Sequence, residues 1–437
     1  MTESLKLPFR RLSYGIALCL GITASAQPPA PLTIDLVSAL QRGREWSPQF
    51  LASALAASSA KEDRLQVKAQ FFPTVQQFNG YLYTQGNGTG TGVFFANNGV
   101  HIYDEQMQVH AEPLPITRRA QYRMLQAAEA AAKARQDVAR RGLASTVIMN
   151  YYGVISAQRH RANAVRALTE ARQFEDLSQK QERGGEVAHA DVVKAELQRH
   201  QRETQLNEAE INVDKAKLAL AVLIFQDLLQ PFEIVDDLKP DAPAPAPEEG
   251  RQASFAANPD LQVAESMLRQ STAGIAVARG DYYPSFMIDY SFGINSYVLA
   301  LEDPFGNRNI GSFLQATITV PVWNWGMTRS KVRQAKIAQQ QSQNDLKFAR
   351  RQVEANLDQD YLELRAARTQ LDQLLATRAL AEENLQLTTL RYTEGEATAL
   401  EIVDAQTSAT DARNGYDDGL GRYRMALANI EILMGRY

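Results

Sequence analysis

Glu401 and Asp404 stand three residues apart, close enough to share one face of a helix, and they follow directly on Gly395. A third acid, Asp191, follows Gly185 in the segment Gly185-Glu186-Val187-Ala188-His189-Ala190-Asp191-Val192-Val193. That segment answers to Gly395-Glu396-Ala397-Thr398-Ala399-Leu400-Glu401-Ile402-Val403. Nothing around these acids has the spacing of a catalytic or metal-binding motif, so what they set is local charge, which concentrates cations and repels anions. The plainer alternative is a solvated helix face. The five histidines, His101, His110, His160, His189 and His200, form no His-Glu-x-x-His pair, and there is no nucleophile elbow or phosphate-binding glycine loop. An enzyme is therefore not expected, nor a cofactor.

The elements that position these acids follow from proline and from repetition. Prolines are absent between Pro115 and Pro231 and again after Pro321, which marks two long helical territories. In the second, Val353, Leu357, Tyr361, Leu364, Ala367, Leu371, Leu374, Ala381 and Leu385 follow the threes, fours and sevens of a coiled-coil seam. A helix from Ile116 to Glu182 would run on the order of 100 Å. Gly185 and Gly395 then mark the tips where a helix reverses into its partner, glycine relieving the φ restriction. The chain also contains itself twice, about 210 residues apart. Ser47-Pro48-Gln49-Phe50 answers to Asn258-Pro259-Asp260-Leu261, and Lys68–Thr74 answers to Arg279–Ser285. The organisation expected is a signal peptide at 1–26, a first repeat at 27–239, a Pro-rich linker at 240–250 and a second repeat at 251–437.

Lys6, Arg10 and Arg11 precede a short apolar run, and Ala24-Ser25-Ala26 offers a cleavage site before Gln27, as in a secretory signal. Cys19, the single cysteine, lies inside it, so the mature chain has no disulfide. A formal charge of −4 gives no reason to expect nucleic acid. No later stretch is apolar enough for a membrane helix, which leaves a β-barrel as the one way to cross a membrane. The material for one is present. Phe286, Ile288, Tyr290, Phe292 and Ile294 alternate with polar residues, and so do Leu314, Ala316, Ile318, Val320 and Val322. The first repeat has a rougher hairpin, Val75 to Thr84, a glycine-rich turn at 85–92, and a strand ending with Met107, Val109 and Ala111. Tyr81, Tyr83, Tyr290, Tyr297, Trp323 and Trp325 suit interfacial girdles. Four strands cannot close a barrel, so protomers must pool them. The alternative is a small soluble sheet packed on the helices. Pro240–Pro247 reads as an extended strap rather than a ligand for a partner domain.

The Asn-Pro helix start with its Tyr282-Tyr283-Pro284 strand entry, together with the run from Arg391 to Gln406, resembles the TolC-type outer-membrane efflux channels over nearly all of the mature chain. The resemblance implies a mainly α fold with a small β portion: long antiparallel coiled-coil helices plus four transmembrane strands per protomer, in a homotrimer. The trimer would make one twelve-stranded barrel in outer-membrane lipid and a periplasmic tunnel that docks an inner-membrane pump through a periplasmic adaptor protein. It also implies that Glu401 and Asp404 ring the tunnel's periplasmic entrance, with Asp191 as a further acid and Tyr392 as an aromatic partner in the gate. Two positions depart from the family pattern. Ala397 stands near the place of an arginine that ties the closed entrance, and Glu182 stands where the first repeat would match Tyr392, leaving Arg183 as a candidate substitute. A soluble periplasmic coiled-coil adaptor or scaffold is the rival reading; it leaves the amphipathic hairpins unexplained.

Overall fold

The two Ser/Asn-Pro motifs start helices by the same local chemistry. Ser47 Oγ accepts from the Phe50 amide at 3.4 Å and Asn258 Oδ1 from the Asp260 amide at 2.9 Å, and each is followed by proline at the first helical position, where its missing N–H costs nothing. Both helices end in the same turn as well. Phe71 and Phe72 donate back to Lys68 and Ala69, as Tyr282 and Tyr283 do to Arg279 and Gly280, before Pro73 and Pro284 open a strand.

A computed structural model describes residues 32–83, 101–228, 230–240 and 243–436. The expected signal peptide and the glycine-rich turn at 85–92 lie outside the described residues. In chain order the elements are β1 (Leu32–Ile34), α1 (Leu36–Trp46), α2 (Pro48–Ala69), β2 (Thr74–Tyr83), β3 (His101–Ala111), α3 (Ile116–Gly184), α4 (His189–Ile224) and β4 (Phe232–Ile234). They continue with α5 (Pro247–Ala257), α6 (Pro259–Gly280), β5 (Ser285–Ser296), β6 (Ile310–Thr319), α7 (Met327–Thr393) and α8 (Ala399–Leu433). The helices α3 and α7 run 69 and 67 residues, and α4 and α8 run 36 and 35, so the two halves supply matched hairpins. No helix among the described residues is long and apolar enough to cross a membrane.

The strands β2, β3, β5 and β6 form one antiparallel sheet in that order, so β2 and β6 are its edges. Period two sorts its faces. Thr74, Gln76, Gln106, Gln108, Asp289, Ser291, Gln315 and Thr317 lie on one, while Val75, Met107, Val109, Ile288, Tyr290, Phe292, Leu314 and Ile318 lie on the other. The last strand ends at Thr319 rather than running to Val322, because Pro321 has no N–H for a ladder. Tyr290 sits in the middle of β5, not at a strand end. Tyr81, Tyr83 and Tyr103 gather around His101 at one end of the sheet, and exposed Phe72, Tyr282, Tyr283, Trp323 and Trp325 stand at the end where the helices join.

The main core lies at the waist, where β1 and β4 pair in parallel beside the middles of the long helices. Tyr151, Ile155, Leu220, Ile224, Leu420 and Ile430 are all but fully buried there. From α7 come Leu364 and Leu371, and buried Leu357 continues their seven-residue spacing outside that core, as a coiled-coil seam requires. The strap lies against α7 and is held by its carbonyls: Tyr361 Oη donates to Ala246 O at 3.1 Å and Arg368 Nη1 to Pro240 O at 2.9 Å. It ends earlier than expected, since α5 begins at Pro247.

Candidate functional site

Both helix tips far from the sheet close by the same device. After α3, Gly185 takes φ 76° and Glu186 N–H donates to Gln181 O at 2.9 Å; after α7, Gly395 takes φ 78° and Glu396 N–H donates to Arg391 O at 2.7 Å. This is a Schellman closure, which needs a left-handed residue that glycine supplies without a Cβ penalty. Thr398 then caps α8. Its hydroxyl accepts from the Glu401 amide and Glu401 reaches back to the Thr398 amide, a reciprocal capping box.

Glu401 and Asp404 are exposed on the outer side of α8, because the opposite side turns inward: Ala405 is buried, and Ile402 is buried in a small cluster with Phe174 of α3, Ala195 of α4, Tyr392 of α7 and Ala399. The two acids differ in their surroundings. Arg391 Nη1 lies 3.4 Å from Glu401 Oε2 while its Nη2 donates to Glu396 O, so Glu401 carries a guanidinium across the turn. The Asp404 carboxylate has no ion pair or hydrogen bond among the described residues. Asp191, half-buried in the first turn of α4, pairs with Lys194 at 3.4 Å and is well placed against the helix dipole. The structure thus brings Asp191, Glu401 and Asp404 to the same end of the molecule.

Tyr392 faces inward. It is 2% exposed, its hydroxyl lies 3.0 Å from Ser178 Oγ, its ring meets Phe174 edge-on, and its carbonyl accepts from Gln181 Nε2. Burial pushes its phenol upward. It ties α7 to α3 inside one protomer. Arg183 donates only to Gln179 O of its own helix, and Glu182 pairs with His189 at 2.7 Å across the first tip. The arginine that reaches an acid across a tip is Arg391, whose role the sequence did not announce.

Further from the tip a buried charge cluster joins the two hairpins. Arg413 of α8, 3% exposed, donates through both terminal nitrogens to Glu170 of α3 at 3.0 and 3.2 Å, and its Nε reaches Glu382 of α7 at 3.3 Å. Arg202 of α4, also buried, donates to Thr407 of α8 at 2.9 Å. At the other end of the molecule, the polar face of the sheet is concave, with a hollow of about 770 Å³.

Comparison with known proteins gives one answer along the chain. Residues 251–436 match the family described as outer membrane efflux protein. Over 293 residues, covering 66% of this chain and 67% of the relative, the sequence is 26% identical to the cobalt-zinc-cadmium resistance protein CzcC of Cupriavidus metallidurans. It is 27% identical over 213 residues to the toluene efflux pump outer membrane protein TtgC of Pseudomonas putida, covering 46% of this chain and 40% of that one. Among solved structures, the fold matches CusC, in crystals that record its folding and transmembrane channel formation, with TM-score 0.79 at 17% identity over 94% of this chain and 95% of that one. It matches the CmeC outer membrane channel of Campylobacter jejuni with TM-score 0.76 at 16% identity, over 92% and 85%.

Proposed function

We propose that this chain is a TolC-type outer-membrane efflux channel and, as such, the exit duct of a tripartite export system, a passive conduit gated at its periplasmic end. The observation that carries the reading is the sheet. It has one mainly polar face, which also carries Phe78 and Phe313, one mainly apolar face, which also carries Gln77, Asn79 and Glu105, aromatic residues at both ends, and two unpaired edges. An interior that is polar and an exterior that is apolar is the pattern of a barrel wall in lipid, and strands of ten to twelve residues are long enough to span it. Exposed edges invite further strands, so three protomers joined edge to edge make a closed twelve-stranded barrel.

The helices ask for the same partner. Exposed Val193, Leu197 and Val222 line α4, and exposed Leu390, Leu387 and Leu362 line α7. Counted from the helix ends at the tips, His189 and Thr393, Val193 stands within about one residue of the height of Leu390, and Leu197 and Val222 within about two of Leu387 and Leu362. The hairpins α3/α4 and α7/α8 already meet through α3 and α8, so the outer faces of α4 and α7 are free to meet across protomers and close a ring of six hairpins. In that ring Asp404, with Glu401 and Asp191 beside it, forms the charged constriction at the periplasmic entrance, Gly185 and Gly395 form the tips that an adaptor engages, and Tyr392 holds the wall behind the gate. An inner-membrane pump behind the adaptor supplies the energy and the choice of cargo.

Planar-bilayer conductance tests this. The purified trimer is expected to form cation-preferring channels, blocked by polyvalent cations at the entrance. The E401Q/D404N double variant should lose most of that preference and block while remaining trimeric in detergent. A monodisperse monomer, or a protein soluble without detergent, would overturn the duct; unchanged preference and block in the double variant would move the gate elsewhere.

A further inference from the structure

We propose that the polar face of the sheet carries, in each protomer, a weak and exchangeable site for a divalent transition-metal cation at His110. The inference rests on the duct reading, which makes this face the lumen. One register row runs across all four strands, Thr74 to His110 to Asp289 to Gln315, and every residue in it presents a nitrogen or oxygen. Within the row, His110 Nδ1 lies 2.6 Å from Asp289 Oδ1. An ionised carboxylate only accepts, so the shared proton belongs to Nδ1 and the lone pair of Nε2 is left for a ligand. A carboxylate behind an imidazole is the arrangement that orients histidine ligands at metal centres. Both side chains remain about 40% exposed, in the hollow that Gln76 and Gln108 also line.

Imidazole nitrogen suits zinc, cobalt, nickel and copper, whereas calcium and magnesium take oxygen. No group of three or more histidine, cysteine or acidic residues among the described residues is arranged to hold a metal. His110 is therefore a single protein ligand, with water completing the shell, Thr74 on the strand beside it and Gln315 beyond Asp289 in the same row. A structural zinc site closes with four ligands and keeps its metal. One ligand captures and releases, which is what conduction demands of a site along a pore. His101 cannot substitute, because it lies on the apolar face and its Nδ1 meets Tyr81 Oη at 2.6 Å.

The test uses the full trimer in planar bilayers, in the E401Q/D404N background so that the tip acids do not contribute. Zinc chloride added to the bath is expected to reduce conductance reversibly, and magnesium chloride to leave it unchanged. His110→Gln should raise the half-blocking zinc concentration by about tenfold or more. Asp289→Asn should raise it less, since the ring loses its orienting partner but keeps Nε2. A His110→Gln trimer that conducts normally and shows the same zinc block overturns the site and leaves the duct standing. A protein that forms no channels in any variant overturns the duct itself.

Discussion

Arg391 divides the labour of the two tip acids. Glu401 is engaged three ways, by the Thr398 amide, the Thr398 hydroxyl and the Arg391 guanidinium, whereas Asp404 one turn later has none of these. Asp404→Asn is therefore expected to lower cation preference more than Glu401→Gln, and Arg391→Met to raise it, each read from reversal potentials in a salt gradient. Equal effects of the two acid substitutions would show that the pair acts as one charge. Glu401→Gln has a separate cost in helix stability, since the capping box loses its charge; the loss is a fraction of about 1 kcal/mol. The acids and tip glycines were legible because their signal is local, a spacing of three and a glycine after a helix. The inward turn of Tyr392 was not, because its partner Ser178 lies 214 residues away and no local pattern announces it.

The helices themselves were plain in the sequence, since proline exclusion over long spans leaves little else, and the strand alternation of the second half could be read residue by residue. What could not be read is how the hairpins are joined. Arg413 meets Glu170 across 243 residues, and its charge alone would have placed it on the surface. Arg413→Met should leave Glu170 to Arg166 and Glu382 to Arg378 alone and cost about 3 kcal/mol, the low end for a broken buried pair because both glutamates keep some water and one arginine each. Thermal unfolding checks the size, and faster hydrogen exchange along α8 between residues 405 and 420 checks the place. The same joint carries a pH dependence. His160 Nε2 lies 3.0 Å from Asp418 Oδ1, at a bent angle, with Asp417, Asn414, Ser156 and Arg159 around it. The Asp418 carboxylate raises His160 above its ordinary 6.5 against the opposing effect of burial, and His160 lowers Asp418 below 3.8. A raised histidine stabilises fully below 6.5 and loses that contribution as pH climbs through its folded value; a lowered aspartate stabilises above 3.8 and loses it as pH falls through its own. The joint is firmest between those limits. His160→Gln should flatten the decline in melting temperature above pH 6.5, and an unchanged decline would assign it to another group.

At the scale of the whole molecule, the chain on its own leaves surface uncovered. Its sheet ends in two open edges, and its apolar stripes on α4 and α7 face away from its own core. The proposal that α4 and α7 meet across protomers rests on α3 and α8 occupying each other within the chain, a pairing that no local sequence pattern announces. That assignment yields a sharp expectation. The only cysteine, Cys19, falls in the expected signal peptide, so introduced thiols have no competitor in the mature chain. The double variant L197C/L387C places one thiol on α4 and one on α7 within about two residues, roughly 3 Å, of the same height from the tips. Mild oxidation in isolated outer membranes should convert it into covalent dimers and trimers, separable on a denaturing gel and collapsed by reductant. The pair L197C/V353C is a control, because the two positions differ by more than thirty residues in height and Val353 is buried within the protomer. A disulfide requires Cα atoms within about 7 Å, so only a seam in the stated register can form it. Trimers from the control, or none from the level pair in membranes that contain folded protein, would show that α4 and α7 do not meet in this register and that the ring closes along other faces.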